Sequence, residues 1–252
     1  FAAICNTSAP KLVGTGTDTA QFKFVGNLQE SKPLRDWLTE VLMNASGGFR
    51  FVFGKLHLFG HFNSSAVESY TVGNMVFGSL KQSNHKPSFN HLTANFADGE
   101  FEFANNSVTL YDIDHAKEIG GVSSPMFLKS TMNLAGTYTK SQAARLVIAR
   151  LREELGGVTL TERRNARSLS FRTTILGLTS QVGQVDSVTH PLLPGAGGLV
   201  EARWTSWKLN RDYSIDLSGK TTTDSMYDMT AGYKPVDVVA SPVPNEQEFA
   251  PA

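Results

Sequence analysis

A single cysteine, Cys5, stands in a chain of 252 residues, so no internal disulfide can staple the molecule and its fold must rest on packing. Long apolar runs are missing too: none approaches the roughly 20 residues a helix needs to cross a bilayer. Neither a collagen-like repeat nor a coiled-coil composition appears. Charge of one sign is also lacking. Lys and Arg number 23 against 23 Asp and Glu, for a formal net charge of zero, whereas a surface built wholly to trap nucleic acid carries a strong basic excess. The first residue is Phe1, with no methionine, basic n-region or signal-type apolar segment behind it, and the chain reads as a fragment. Ser241-Pro242-Val243-Pro244, followed by Asn245-Glu246-Gln247-Glu248 and Pro251, is expected to be a stiff polar linker into a further domain.

What is present is a hydrophobic fraction of 40%, enough for one large domain or two smaller ones with real cores. Residues 1–20 read as an arm or weak strand, and Phe22, Phe24 and Leu28 as a strand. A helix is expected over 32–45, with Ser31 or Lys32 as cap, Pro33 near its first position, Leu34, Trp37, Leu38, Val41, Leu42 and Ala45 as its buried face, and Gly47-Gly48 as its stop. Phe49, Phe51 and Phe53 alternate into Gly54-Lys55 and out through Leu56 and Leu58, a hairpin pattern. Residues 67–80 are ambiguous, with a short helix expected around 76–80. Leu92, Ala94 and Phe96 lead into an Asp98-Gly99 turn, Phe101 and Phe103 lead out of it, and Val108, Leu110 and Ile113 make one more strand. A two-sided surface helix is expected over 141–155, its apolar stripe at Ala144, Val147, Ile148, Leu151 and Leu155 and its polar side including Arg145 and Arg152. From there to Leu217 everything reads as strand. The expected fold class is α+β, mainly β: a small antiparallel β-barrel over 87–238 flanked by the 141–155 helix, an α+β lobe over 21–86, and a linker over 239–252.

Chemistry is sparse. His57 and His61 stand four apart, a spacing seen in helical zinc sites, but His57 falls in a strand pattern and no third ligand follows, so both read as structural. His85 and His91 flank Pro87 without cysteine companions. Asp112, Asp114, His115 and Glu118 resemble part of a calcium loop, yet the loop's glycine and bidentate glutamate are missing, and a capped helix start or solvated turn is the better reading. Gly14-Thr15-Gly16-Thr17 and the glycines at 195, 197 and 198 lack a phosphate loop's Lys-Ser/Thr ending and read as turns. No Gly-x-Ser-x-Gly elbow occurs and Cys5 has no histidine near it. Catalytic, cofactor-binding and metal-ligating residues are therefore expected to be none. Arg163, Arg164, Arg167 and Arg172 crowd one stretch, where strand alternation would turn some of them toward water, a neighbouring subunit's carboxylates or phosphates.

Several short stretches resemble, in order, the central tail hub of long-tailed phages. They begin with Lys32-Pro33-Leu34-Arg35-Asp36-Trp37-Leu38, Phe53-Gly54-Lys55-Leu56 and Phe96-Ala97-Asp98. Ser141-Gln142-Ala143-Ala144-Arg145 and Val182-Gly183-Gln184-Val185 through Thr189-His190-Pro191 follow. Leu209-Asn210-Arg211-Asp212-Tyr213 and Ser225-Met226-Tyr227-Asp228 complete the series. The likeness covers residues 20–235 and extends to the lambda-like tip attachment proteins of prophages and gene transfer agents. Where that family usually has Gly-Asp, this chain has Gly183-Gln184. The resemblance implies a virion protein of the phage tail tip, made in the bacterial host cytoplasm and without enzymatic activity. It implies a homotrimer whose tail-tube-like barrels contact the distal tail protein, the tape measure protein and downstream receptor-binding parts. DNA would pass through without sequence-specific binding, and Arg163, Arg164, Arg167 and Arg172 become candidate subunit or lumen contacts. The alternative from the residues is a carbohydrate-binding or adhesion module in which Trp37, Trp204 and Trp207 stack sugars; Trp37 falls on the helix core face and the other two in opposite strand phases, so at most one of the three is expected on display. With no nucleophile placed beside a base, a broad hydrolase and transferase screen is expected to return no turnover. Turnover lost on changing His57, His61 or His115 would overturn their structural assignment.

Overall fold

Two-residue alternation dominates the sequence, and strands dominate the fold. The structure is a computed structural model that describes residues 9–10, 17–18, 22–24, 31–52, 54–61, 64–99, 103–227 and 239–240; Cys5, Leu28, Phe53 and Phe101 lie outside them. In chain order the strands and helices are β1 (Ala9–Pro10), β2 (Thr17–Asp18), α1 (Leu34–Met43), β3 (Gly47–Val52), β4 (Lys55–Gly60), β5 (Ser69–Tyr70), β6 (Lys81–Asn84), β7 (His91–Asp98), β8 (Ala104–Tyr111), α2 (Ile113–Gly120) and β9 (Lys129–Leu134). They continue with α3 (Lys140–Leu155), α4 (Leu160–Asn165), β10 (Arg167–Thr173), β11 (Val185–Thr189), β12 (Leu199–Leu209), β13 (Ile215–Thr222) and β14 (Val239–Ala240). The fold is α+β and mainly β.

The chain divides into two units that interleave in sequence. One takes Ser46–Ser88 and Arg152–Ala231; the other takes Ala2–Ala45, Phe89–Leu151 and Gly232–Ala252. Each therefore draws on both sides of residue 87, where the sequence reading divides lobe from barrel. The α1 helix falls in one unit and the β3–β4 hairpin in the other.

In the first unit a six-stranded sheet runs in the order β5-β11-β12-β13-β10-β6, antiparallel throughout except where β5 lies parallel to β11. Period-two burial explains it: Ile215, Leu217 and Gly219 of β13 and Leu169 and Phe171 of β10 are buried while their neighbours are not. These residues share a core with Tyr70, Met75, Val188, Leu193, Ala202 and Trp204. The β12 register shifts between Trp204 and Ser206, a bulge at Thr205 that bends the phase of the strand. Trp204 then pairs opposite Gly219 and Trp207 opposite Leu217, two positions on one face, so both indoles turn to the core although they stand three positions apart. A Cβ on Gly219 would stand 2.8 Å from the Trp204 ring and 2.3 Å from the Arg203 carbonyl oxygen, which is why glycine occupies that position.

Beneath Trp204 lies Asp186, fully buried. Its Oδ2 accepts from the Trp204 indole Nε1 at 2.5 Å and from the Ser180 hydroxyl, and its Oδ1 accepts from Gln184 Nε2 at 2.8 Å and the Glu68 backbone N–H at 3.0 Å. The Tyr70 hydroxyl meets Ser180 at 2.5 Å, and burial pushes its pKa up to about 12. A buried carboxylate is tolerated only when so satisfied, and this one joins the edge segment 68–70 to β11 and β12.

The second unit holds a four-stranded sheet in the order β14-β8-β7-β9, with β9 parallel to β7 and the other pairs antiparallel. Asn90, fully buried, fixes the crossover: it donates to the Met126 carbonyl at 3.0 Å and accepts from the Leu128 N–H at 2.8 Å. Asn44 does the same at the end of α1, donating to the Glu40 carbonyl and accepting from the Thr137 hydroxyl at 2.8 Å, while Gln142 of α3 donates to the Asn44 and Lys23 carbonyls.

Several expectations need correction. The first helix spans Leu34–Met43, capped by neither Ser31 nor Lys32, with Leu42 its only fully buried residue; Gly47 and Gly48 open β3 instead of stopping the helix. The α3 helix is buried on every side from Ser141 to Ala149, Gln142 and Arg145 included. It is no two-sided surface helix, because Arg145 bonds within it, donating to Ser141 Oγ at 3.0 Å. Residues 76–80 form no helix; Met75 instead bridges to Thr173. In the second hairpin Asp98 pairs with Ala104, so Phe103, with φ +61°, precedes the return strand instead of lying in it. Ile113 begins a helix instead of extending a strand. A further helix, α4, opens where only strands were expected.

Replacing Asp186 with alanine would strand the Trp204, Ser180 and Gln184 donors. We expect it to lower unfolding stability by about 3 kcal/mol or more, read as a shifted urea midpoint in tryptophan fluorescence. An unchanged midpoint would show that the carboxylate does not hold the sheet's edge.

Candidate assembly surface

Among the described residues the six-stranded sheet ends on two unpaired edges. On one side β6 pairs with β10 alone, and all four of its residues, Lys81 to Asn84, are exposed. On the other, β5 is two residues long. No ladder joins these edges among the described residues, so the described residues hold no closed barrel of the kind expected from the sequence. Closure requires strands long enough to tilt and stagger against one another, and residues 71–80 between these edges form turns that place Met75 in the core instead. An exposed ladder edge is a template for pairing with another chain, and a lysine on it, as here at Lys81, is a residue that discourages indiscriminate pairing.

Beside the sheet's turns stands the β3–β4 hairpin. Val52 pairs with Lys55, so the turn falls one position earlier than the Gly54-Lys55 turn expected, and Gly54 supplies the positive φ of +75°. Alternation splits the hairpin into two faces. Gly48, Arg50, His57 and Phe59 share one, with the Phe59 ring lying on Gly183 so closely that a Cβ there would come within 2.3 Å. The other carries the cross-strand pairs Phe49–Leu58 and Phe51–Leu56, with Phe51 68%, Leu56 43% and Leu58 46% exposed. Paired apolar residues left in water on one face of a ribbon mark an interaction surface.

The four arginines do not converge. Arg163 and Arg164 lie on α4, outside any strand, and Arg163 donates to the Gly157 and Val158 carbonyls at 3.2 and 2.9 Å. Arg167, at the start of β10, donates to the Arg164 and Ala166 carbonyls. Arg172 alone follows the alternation to the outer face, where its Nε meets Asp216 at 2.8 Å and Nη1 stands 4.0 Å from Asp212. Hydrogen bonding to Arg172 holds the Asp216 carboxyl below its usual range. Lys220, also on this sheet, lies 3.7 Å from Glu154. Two basic groups of this surface, Arg172 and Lys220, are thus matched by carboxylates.

The remaining candidates have structural partners. His57 pairs opposite Arg50 in the hairpin, His61 Nδ1 lies 2.5 Å from Glu153, and His85 Nε2 lies 2.6 Å from the Glu154 carbonyl oxygen. Asp112 caps α2, accepting from the His115 N–H at 2.8 Å, as expected of a capped helix start. Among the described residues no three of His, Cys, Asp and Glu gather as a metal site. Trp204 is buried with its N–H bound to Asp186, Trp207 donates to the Gly177 carbonyl at 2.9 Å, and the Lys32 ammonium lies 4.8 Å over the Trp37 ring. Sequence phase puts Trp204 and Trp207 on opposite faces; the bulge at Thr205 turns both inward, so the pair offers no sugar-stacking platform.

No family model matches the chain, and no curated protein matches it either. Among solved structures it is similar to a chain of the native gene transfer agent virion, at a TM-score of 0.53 and 12% identity, over 81% of this chain. The chain spans 41% of that virion chain's length. A second likeness, to a prophage tail protein from Listeria monocytogenes EGD-e, covers 73% of this chain and 51% of the other at 10% identity and a TM-score of 0.35, too low to indicate a shared fold. At these identities the first likeness is one of fold.

One titrating group on the first unit has a definite sign. Burial alone would raise the Glu154 carboxyl, but hydrogen bonds from the Ser88 hydroxyl and N–H, at 2.6 and 2.7 Å, with Lys220 and His85 nearby, hold it below its ordinary value. A depressed folded-state pKa contributes stability above the unfolded value and loses it as pH falls through the folded value. Below the usual glutamate range, therefore, Tm is expected to fall more steeply for the native chain than for Glu154→Gln. Parallel Tm profiles would contradict the assignment.

Proposed function

We propose that the chain is a structural component of a phage-type tail tip, a central hub that continues the tail tube and links it to receptor-binding parts for host attachment and DNA delivery. The observation that carries this reading is the fold likeness to a gene transfer agent virion chain, taken with a sheet whose two edges stay open. A ring that must close around a lumen can use such edges as subunit contacts, each copy supplying what its neighbour lacks. In this reading three copies form the ring. The distal tail protein and the tape measure protein meet it on the tail side, and downstream receptor-binding parts reach toward the receptor.

The electrostatics suit a passage that must not retain DNA. Affinity for a phosphate backbone comes from cations that neutralise phosphates and release counterions, and here Arg172 and Lys220 are engaged by Asp216 and Glu154. Arg163, Arg164, Arg167 and Arg172 serve in this reading as subunit or lumen contacts, with Arg163 and Arg167 already committed to local carbonyls. The protein would reside in the virion and act without enzymatic activity.

The test is location and mass. Gold-labelled antibody against this chain should mark the tail tip of intact particles, and light scattering of the isolated chain should give a monomer or weak trimer, since specific interfaces usually bury about 1,200 Å² or more and an edge of four residues offers much less. Label along the tail shaft or head, or a tight symmetric dimer in solution, would sink the hub reading.

A further inference from the structure

The most exposed large apolar residue among the described ones is Phe77, 99% in water. A turn holds it there: the Ser79 N–H donates to the Val76 carbonyl at 3.0 Å, and Gly78 supplies the positive φ of +70° that the turn needs. The turn is anchored to β10 at both ends, the Val76 N–H donating to the Arg172 carbonyl at 2.8 Å and the Ser79 hydroxyl accepting from the Arg172 N–H at 3.1 Å. Single apolar residues are ordinary on protein surfaces, but here a phenyl ring is presented on a pinned backbone, so little conformational entropy is left to lose when it docks.

On the other flank of the same sheet the first unit holds a cleft of about 220 Å³, walled by Phe51, Leu178, Val182 and Trp207. Its polar members are engaged within the unit: Ser180 bonds to Asp186 and to Tyr70, and the Gln181 side-chain oxygen accepts from Arg50. With these groups engaged, what the walls offer is chiefly apolar surface, which favours an apolar occupant. Apolar cavities of about 150 Å³ take up benzene, so this cleft has room for one phenyl ring, whereas sites for whole small molecules run to about 300–1,000 Å³.

We propose that Phe77 of one copy of this chain seats in the cleft of a second copy, its ring against Phe51 and Trp207, with the adjoining Val76, itself 40% exposed, against the exposed apolar face of the β3–β4 hairpin. The placement of the two features selects a second copy as the occupant. The Phe77 turn is fastened to β10, beside the β6 edge, while the cleft is built from the approach to β11 and from β12, with β13 lying between. A knob on one flank and its hole on the other give a head-to-tail contact, which repeats from copy to copy and closes into a ring or runs on as a filament. Area sets its strength. One buried aromatic side chain covers about 150–250 Å², against about 1,200 Å² or more for a specific interface, so the contact holds two isolated copies only weakly and gains strength where each copy gives and receives one at once. The inference adds a contact to the ring reading but rests only on self-association: labelled particles test that reading, concentration dependence of the isolated chain tests this contact, and either can fail alone.

Nitrogen-15 labelling of the tryptophans gives one NMR reporter in the cleft, the Trp207 indole N–H, and a control in Trp204, fully buried with its N–H bound to Asp186. As the isolated 252-residue chain is concentrated from micromolar to millimolar, the Trp207 resonance is expected to move saturably while Trp204 stays in place. Phe77→Ser should weaken that self-association about tenfold or more, the loss of one buried aromatic side chain, and leave Tm unchanged because the ring it removes lies in water. Toluene added to the dilute chain is expected to move Trp207 in the native protein and in Phe77→Ser alike. No movement with concentration, or the same movement in Phe77→Ser, overturns the proposal. So does a fall in Tm for Phe77→Ser, which would place the ring inside the fold. Toluene binding without any effect of concentration would leave the cleft to an apolar side chain of a different protein and overturn the choice of a second copy, and a Trp207 resonance indifferent to toluene would overturn the cleft as a seat for a phenyl ring.

Discussion

A carboxylate sealed from solvent has to be met by donors from every direction it faces, and the larger sheet is organised around that requirement at Asp186. Its four donors come from the residue preceding β5, the turn ahead of β11, β11's own approach and the middle of β12. Removing any of them leaves a charge under-satisfied in a low-dielectric setting, where the loss is larger than at a surface. The two-residue strand β5 has little ladder of its own to hold it, so the network, with Tyr70 bonded to Ser180, does the holding. The aromatic group formed by Tyr70, Phe171 and Trp204, with ring centroids 5.2 to 6.1 Å apart, packs because the indole is pinned at its polar end.

That pinning has a geometric cost, met by the bulge at Thr205. Without the extra residue, Trp204 and Trp207 would face opposite sides of β12; with it, both turn inward, one over Gly219 and the other toward Gly177. A sheet so fixed at its centre still ends on a short parallel strand and a four-residue polar strand. The same constraint that makes the interior specific therefore leaves the outside unfinished. Open edges and an apolar hairpin face both lie on this one unit, and each is completed most simply by another polypeptide.

Much of this was legible in the residues. The alternation of Leu169-Phe171 and Ile215-Leu217 and the helices near 34 and 141 could be read directly, because period-two and period-3.6 burial leave their mark on composition. The interleaved units could not, since which strands pair across long separations, such as Lys81–Asn84 with 167–170, is decided by packing and not by local pattern. Arg145 reads as surface because charge usually is; its burial depends on partners such as Ser141 that spacing alone does not announce. The α4 helix was readable and passed over: Thr159 and Glu162 form a capping box, a Thr-x-x-Glu signature obscured by the run of arginines after it. Of the candidate surface, the hairpin was visible as alternating aromatics, but the bond from Arg50 to Gln181 forms only when the segment at 181–183 is brought against it. The bulge that turns Trp207 inward has no sequence signal that distinguishes Thr205 from its neighbours.

The central claim is that this sheet is an open piece of a ring completed by its neighbours. A reconstruction of intact tail tips at side-chain resolution tests it most directly: three copies around the tail axis, with the Lys81–Asn84 edge of each facing an adjacent copy, is the arrangement the account predicts. Six copies, or three copies whose Lys81–Asn84 edges all face solvent, would contradict it.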